Sequence, residues 1–342
     1  HAWGTGVMKT ILHGGDLEAF GRQYPDANRP LIDLSTGINP QGYETRIDKD
    51  WMTRLPNHAD EETCRAAFAT YAGVDPVFAH VMPGTQAIIS GMPYLFHQKR
   101  VAVLSPTYGE HEASWRAAGH TVTTYPALEV LTADADIIVV TNPNNPDGYV
   151  FNAEALRACQ ARQRERDGWL IVDEAFVDCT PELSVTTEVQ DGGLLILRSF
   201  GKFFGLAGLR LGFLLGPAEI AAPLLERLGP WGVSTPALRV AAKAYGDATW
   251  IVETRKHLSG QMDRLRARVI PLLGTEIGRT PLFMLLDCVD AGAAAAQLAD
   301  HGIFVRTFPN MRNYLRLGLP GEPWAWERLE TALTEWEHKN EC

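Results

Sequence analysis

Five short apolar runs in the middle of the chain constrain its fold more than any other feature. They are RVAVLSP (100–106), TVTTYP (121–126), ADIIVVTNP (135–143), GWLIVDEAF (168–176) and GLLILRSF (193–200), and each stops at a polar or turn residue. Apolar runs with little alternation suit strands buried on both faces, as in a parallel sheet. Segments such as EALRACQARQRERD (154–167) lie between them, with helical spacing and helix-forming residues. Repetition of strand and helix predicts an α/β domain with a mostly parallel central sheet sandwiched by helices. Ligands of such sheets sit beyond the carboxyl ends of the strands. The residues standing there are Tyr108, Asn145, Asp173, Ser199 and Lys202.

After about residue 235 the pattern changes. A long helical stretch, broken near Gly246 and ended by Pro271, precedes PLFMLLDC (281–288), an Ala-rich helix (291–301), IFVRTF (303–308), YLRLGL (314–319) and a final helix from Pro323. Helices on a small, mostly antiparallel sheet predict a second, smaller α+β domain, and 342 residues suit about two domains. The expected division is 8–38 as an N-terminal arm and part of the small domain, 39–235 as the large domain and 236–342 as the small one. The opening HAWGTGV lacks the charged and apolar regions of a signal peptide, which makes Met8 the expected native start.

The net charge of −10 argues against a broad nucleic-acid surface, and no apolar run reaches the ~18 residues of a membrane span. A small anionic ligand stays open, because a few arginines in a pocket suffice. The five cysteines are scattered, odd in number and without a C-x-x-C pair. A reducing, cytoplasmic compartment is expected, with neither a disulfide framework nor a metal site.

SFGKFFGLAGLRLGF (199–213) buries a lysine among Gly, Phe and Leu. Such an ammonium either snorkels to water or has an amine held for covalent chemistry. Four other stretches pose the same choice between structure and chemistry. Gly84 and Thr85 precede an apolar helical pattern and suit either a cap or a phosphate site. Tyr108 is a core ring or a stacking platform. Asn145, in TNPNNPDG, is a turn residue or a fixed amide donor. Asp173 ends a buried strand and needs a partner, an arginine or a protonated ring nitrogen.

These pieces arrive in a fixed order: GTQ, Tyr-x-x-His, Asn-Pro, Asp, Ser-x-x-Lys, then Arg210. From about His13 onward the chain resembles the fold-type I enzymes dependent on pyridoxal 5′-phosphate, the class I/II aminotransferase superfamily, with SFGKFFGLAGLRLG the most specific part. The resemblance implies an aspartate-aminotransferase-like fold and a homodimer. It makes Lys202 and Asp173 the catalytic pair: Lys202 joins the cofactor covalently and carries protons, and Asp173 faces the pyridine nitrogen with His111 behind it. Asn145 would bond the ring 3′-oxygen and Tyr108 would stack on the ring. Gly84, Thr85, Gln86, Ser199 and Arg210 would hold the cofactor phosphate. Arg316 would grip the substrate carboxylate.

LHGGDL (12–17), DLSTGINPQG (33–42) and DEAF resemble a branch of the superfamily, the L-threonine-O-3-phosphate decarboxylases of cobalamin synthesis. That resemblance implies release of CO₂ from L-threonine O-3-phosphate to give (R)-1-amino-2-propanol O-2-phosphate, with His13, Asn39, Arg306 and Arg312 as candidate contacts of the substrate phosphate. Histidinol-phosphate aminotransferase or a related class I/II aminotransferase is the alternative. Two positions depart from the commoner superfamily pattern: Phe176 stands where many relatives have tyrosine, and Leu55-Pro56 stands where relatives often read Tyr-Pro.

Overall fold

The computed structural model describes residues 13–340, apart from the side chain of Asn340; the expected start at Met8 and the fifth cysteine, Cys342, lie outside the described residues. A two-residue strand β1 (Ile32–Asp33) comes first. Seven strands then form one sheet: β2 (Ala79–Met82), β3 (Arg100–Leu104), β4 (Thr121–Tyr125), β5 (Ile137–Thr141), β6 (Trp169–Asp173), β7 (Leu194–Ser199) and β8 (Gly212–Leu215), in the order β2-β8-β7-β6-β5-β3-β4. The β3–β7 strands are parallel, and only β8 runs against its neighbours β2 and β7.

Alternate residues of the same strands fall into two separate cores. Ala102, Ile138, Val172 and Ile196 pack on one side of the sheet, and Val101, Val139, Ile171 and Leu197 on the other. Period-two side-chain geometry combined with burial on both faces is what the unbroken apolar runs encode. The helix expected over 154–167 spans Ala153–Glu165, where the Asn152 side chain accepts from Glu154 N.

A second sheet comes from the C-terminal third: β9 (Gly274–Thr280), β10 (Phe283–Cys288), β12 (Arg306–Thr307) and β13 (Tyr314–Gly318), ordered β12-β13-β10-β9 and antiparallel throughout. Between them β11 (Ile303–Phe304) pairs in parallel with β1, which ties the N-terminal segment to this end of the molecule. The expected fold class therefore holds: a mostly parallel sheet between helices, plus a smaller antiparallel α+β unit. Two local expectations change. The long helical stretch does break at Gly246, into Thr235–Gly246 and Ala248–Leu273, but Pro271 lies inside the second helix and does not end it. Strand β9, GTEIGRT, carries too few apolar residues to announce itself; pairing with β10 makes it a strand.

Candidate active site

Strand parity sorts the polar residues at the carboxyl ends of the sheet. Thr141, Asp173 and Ser199 follow Val139, Ile171 and Leu197 by two residues and share their face. Glu174 and Arg198, one residue out of phase, point to the other face. There Arg198 pairs with Asp178 and lies 3.5 Å from Glu174 Oε2, while Ser184 and Thr186 donate to Glu174. Glu174, Asp178, Thr186 and Arg198 are buried and Ser184 half-buried; the cluster clamps the loop after β6 to the end of β7, next to Asp173 and Ser199 on the site face.

Both oxygens of Asp173 are engaged from behind. His111 Nε2 stands 2.9 Å from Oδ2, and Ala175 N donates to Oδ1 at 3.0 Å. Tyr108 lies nearly perpendicular to the His111 ring, and its hydroxyl donates to Gln86 Oε1 at 3.0 Å. Burial, then the nearby Glu110 carboxylate, push the Tyr108 phenol up to about 12, so it stays a donor.

Lys202 sits in the turn after β7, half-buried on the cavity floor, with Nζ 5.7 Å from the centre of the Phe176 ring. Desolvation first, then the positive charge of Arg316, lower its amine to about 8; Asp173 opposes them. An amine partly neutral near physiological pH is nucleophilic. Asn39 locks this turn: its backbone N–H donates to Lys202 O at 2.9 Å and its Nδ2 to Phe203 O at 3.0 Å, while Oδ1 accepts from Gln41 N. Asn39 is thus a correction to the expected substrate contacts. It is buried, its amide is spent on backbone, and it is absent from the cavity walls.

Gly84, Thr85, Gln86, Tyr108, Asn145, Asp173, Ser199, Lys202 and Arg210 converge on one cavity of about 150 Å³. Gly84 has φ +81°, and a Cβ there would stand 2.8 Å from Arg210 Nη2, so only glycine leaves the guanidinium its place. Thr85 and Gln86 open a helix whose first N–H groups lack intrahelical partners. The cavity unites a nucleophilic amine, a back-supported carboxylate, an aromatic ring and an anion cradle. That donor set fits a flat aldehyde with a ring nitrogen and a phosphate, the cofactor that the resemblance implies.

A second cavity of about 810 Å³ adjoins the first, sharing Tyr108, Asn145, Phe176 and Lys202, and adds His13, Arg306 and Arg316. Arg316 is buried; it donates through Nη2 to Ser35 O at 2.7 Å and through Nη1 to Asn145 Oδ1, while Nε has no partner among the described residues. Desolvation, then the charge of Arg306, lower it to about 10. With its Oδ1 taken by Arg316, the Asn145 side chain has only its Nδ2 donors to offer a ligand. Arg312 is exposed and lines neither cavity.

Ser35 in the wall and Phe283 behind it had no signal of their own. Ser35, the backbone partner of Arg316 from 281 positions away, lies in the DLSTGINP stretch, yet nothing in that stretch marks a carbonyl as a guanidinium acceptor. Phe283 meets the Phe176 ring edge-on at 4.9 Å, and the two rings leave room only for glycine at position 37.

The model of the family aminotransferase class I and II matches residues 29–323. The chain is 41 % identical to the threonine-phosphate decarboxylase of Pseudomonas aeruginosa, over 94 % of this chain and 97 % of that one. It is 37 % identical to the threonine-phosphate decarboxylase of a Sinorhizobium species, over 96 % and 98 %. Among solved structures, the histidinol-phosphate aminotransferase of Clostridium acetobutylicum superposes with a TM-score of 0.80 at 21 % identity, over 90 % of this chain and all of that one, a likeness of fold alone. With a family match over most of its length and two full-length relatives above 30 % identity, the chain belongs to the class I and II aminotransferase family.

Proposed function

We propose that the protein removes CO₂ from L-threonine O-3-phosphate and leaves (R)-1-amino-2-propanol O-2-phosphate, as a pyridoxal-phosphate enzyme of cobalamin synthesis. The observation that carries the reading is the pair Arg306 and Arg316 in the wall of the larger cavity, direct partners across β12 and β13. Two guanidinium groups side by side suit a substrate with two anionic groups, here a carboxylate and a phosphate. The decarboxylase relatives at 41 % and 37 % identity support the same reading.

In this reading Gly84, Thr85, Gln86, Ser199 and Arg210 hold the cofactor phosphate, Asn145 the ring oxygen, Asp173 the ring nitrogen, and Tyr108 the ring face. When bound, the cofactor supplies an electron sink for the pair left behind by departing CO₂. The protein supplies orientation. Arg316 and Arg306 hold the two anionic ends of the substrate, which sets the rotation about its Cα–N bond and hence the bond at Cα that breaks. Such positioning contributes up to ~7–11 kcal/mol of barrier lowering. Lys202 Nζ delivers a proton to the carbon that has lost CO₂. Phe176, in the wall of both cavities and backed by Phe283, keeps water from that carbon.

The same reading makes the protein a cytoplasmic homodimer. Met52, Leu55 and Trp231 expose large apolar side chains, and Trp231 borders a groove with Pro56, Asn57 and His58, a face suited to a second copy. Cys64, Cys159, Cys179 and Cys288 are free and buried, in keeping with a reducing compartment. A panel scoring CO₂ release against amino-group transfer tests the reaction. CO₂ from L-threonine O-3-phosphate, lost in Lys202→Ala, is the expected result; amino transfer from histidinol phosphate without CO₂ would sink it. Sedimentation at micromolar concentration tests the dimer.

A further inference from the structure

Residues 13–15 cross the mouth of the larger cavity, which His13 and Gly14 help to line. Two contacts hold them there. Gly15 N donates to Ser35 Oγ at 2.8 Å, and a Cβ on Gly14 would stand 2.6 Å from Ser35 O, so the segment lies flat on Ser35. The other contact is His13 Nε2 to Glu110 Oε1 at 2.8 Å, between residues 97 positions apart. Glu110 opens the helix Glu110–Ala117, between Tyr108, which faces the cofactor cavity, and His111, which supports Asp173. The His13 ring also lies 5.8 Å from the Tyr108 ring.

Glu110 itself is not part of the cavity wall. Its nearest acidic neighbour in that wall, Glu112, is engaged by Arg116 at 2.8 Å. The imidazole therefore stands between a carboxylate outside the wall and a cavity that also carries Arg306, Arg316 and Lys202. A carboxylate on one imidazole nitrogen fixes the ring plane and thereby the direction of the other nitrogen, the arrangement that orients histidine ligands generally.

We propose that Glu110 is a positioning residue for substrate phosphate: it clasps His13 Nε2–H at the cavity mouth so that the imidazolium form donates its Nδ1–H to the phosphate and residues 13–15 close over it. The proposal rests on the reading above that the substrate carries a phosphate. It assigns a role in recognition to a residue that neither touches the substrate nor takes part in the chemistry.

The experiment titrates the pyridoxal-phosphate holoenzyme with isopropyl phosphate, a monoester with no amine and no carboxylate, by calorimetry. Wild type, Glu110→Gln, His13→Ala and the double variant are compared. Glu110→Gln and His13→Ala should each weaken binding roughly tenfold, as expected for a lost charge-assisted bond, and the double variant should bind no more weakly than His13→Ala alone. Glu110→Asp, which keeps the charge, should recover part of the loss. In turnover, Glu110→Gln should raise KM for L-threonine O-3-phosphate with kcat within about threefold. Unchanged affinity in Glu110→Gln, additive losses in the double variant, or a wild type that does not bind isopropyl phosphate would overturn the proposal. Wild type that binds isopropyl phosphate, with the coupling intact, yet releases no CO₂ from L-threonine O-3-phosphate upholds the clasp and overturns the reaction instead.

Discussion

Arg306 and Arg316 face each other as direct partners across β12 and β13; burial, and then the charge of the first, holds the second below its ordinary value. Like charges directly opposite in a sheet repel. A ligand with two negative groups would offset that repulsion further than Asp33 does. Replacing Arg316 by lysine keeps the charge and loses the fork that takes a carboxylate with two parallel bonds. Arg316→Lys should lower kcat/KM for L-threonine O-3-phosphate about 10²-fold. Arg306→Gln should cost about as much with that substrate and much less with an amino acid lacking the phosphate. Steady-state kinetics on both substrates check the contrast; equal losses for Arg306→Gln on both would contradict it.

Lys202 offers a pH signature. Its folded value of about 8 lies below the ordinary lysine value of 10.5, so the unfolded chain holds more protons between the two. In cofactor-free protein this residue therefore costs stability in full below about pH 8, and the cost is relieved as pH rises from 8 to 10.5. Lys202→Met should stabilise cofactor-free protein at pH 7 by about 2 kcal/mol, once partial exposure of the side chain is allowed for, and should lose that advantage near pH 10.5. Urea unfolding at the two pH values reads this directly. An advantage independent of pH would show that the amine is not depressed.

The contact between His111 and Asp173 is an outer support rather than part of the cavity wall. Second-layer partners of this kind typically contribute 10- to 100-fold. His111→Phe should lower kcat by roughly that factor and shift the visible absorbance of the bound cofactor. Asp173→Asn, which removes the charge that the proposed function sets opposite the ring nitrogen, should cost more, by about 10³-fold or beyond. A His111 variant with wild-type kcat and spectrum would reduce the residue to packing.

Arg198 tests the buried clamp behind the site. Arg198→Met would strand Glu174 and Asp178 as buried carboxylates, at a cost of about 3–5 kcal/mol. Burial already pushes Glu174 up. The midpoint of urea unfolding should fall accordingly. Replacing Arg198, Glu174 and Asp178 together by apolar residues of similar volume should recover much of the loss, since no charge is then left unpaired.

Much of the site was legible in one dimension because a parallel α/β sheet gathers its ligand contacts at strand ends. Asp173, Ser199 and Lys202 each stand at or just past the last residue of an apolar run, and a run buried on both faces can be located by composition alone. Asn39 misled for the opposite reason: its motif was visible, but the atoms its amide would bind, Phe203 O and Gln41 N, were not. Ser35 and Glu110 were invisible because their partners lie 281 and 97 positions away.

The sequence by itself determined the layered α/β architecture, the order of the polar residues at the strand ends and the odd lysine among its apolar neighbours, since these rest on periodicity and on residues local to single strands. Only the tertiary structure decided which face of the sheet each polar end took, that Arg306 and Arg316 confront each other, and that His13 is clasped to Glu110. Those relations depend on register between strands and on contacts between distant segments, and a guanidinium or an imidazole acquires its chemistry from the charges and the desolvation that such contacts impose.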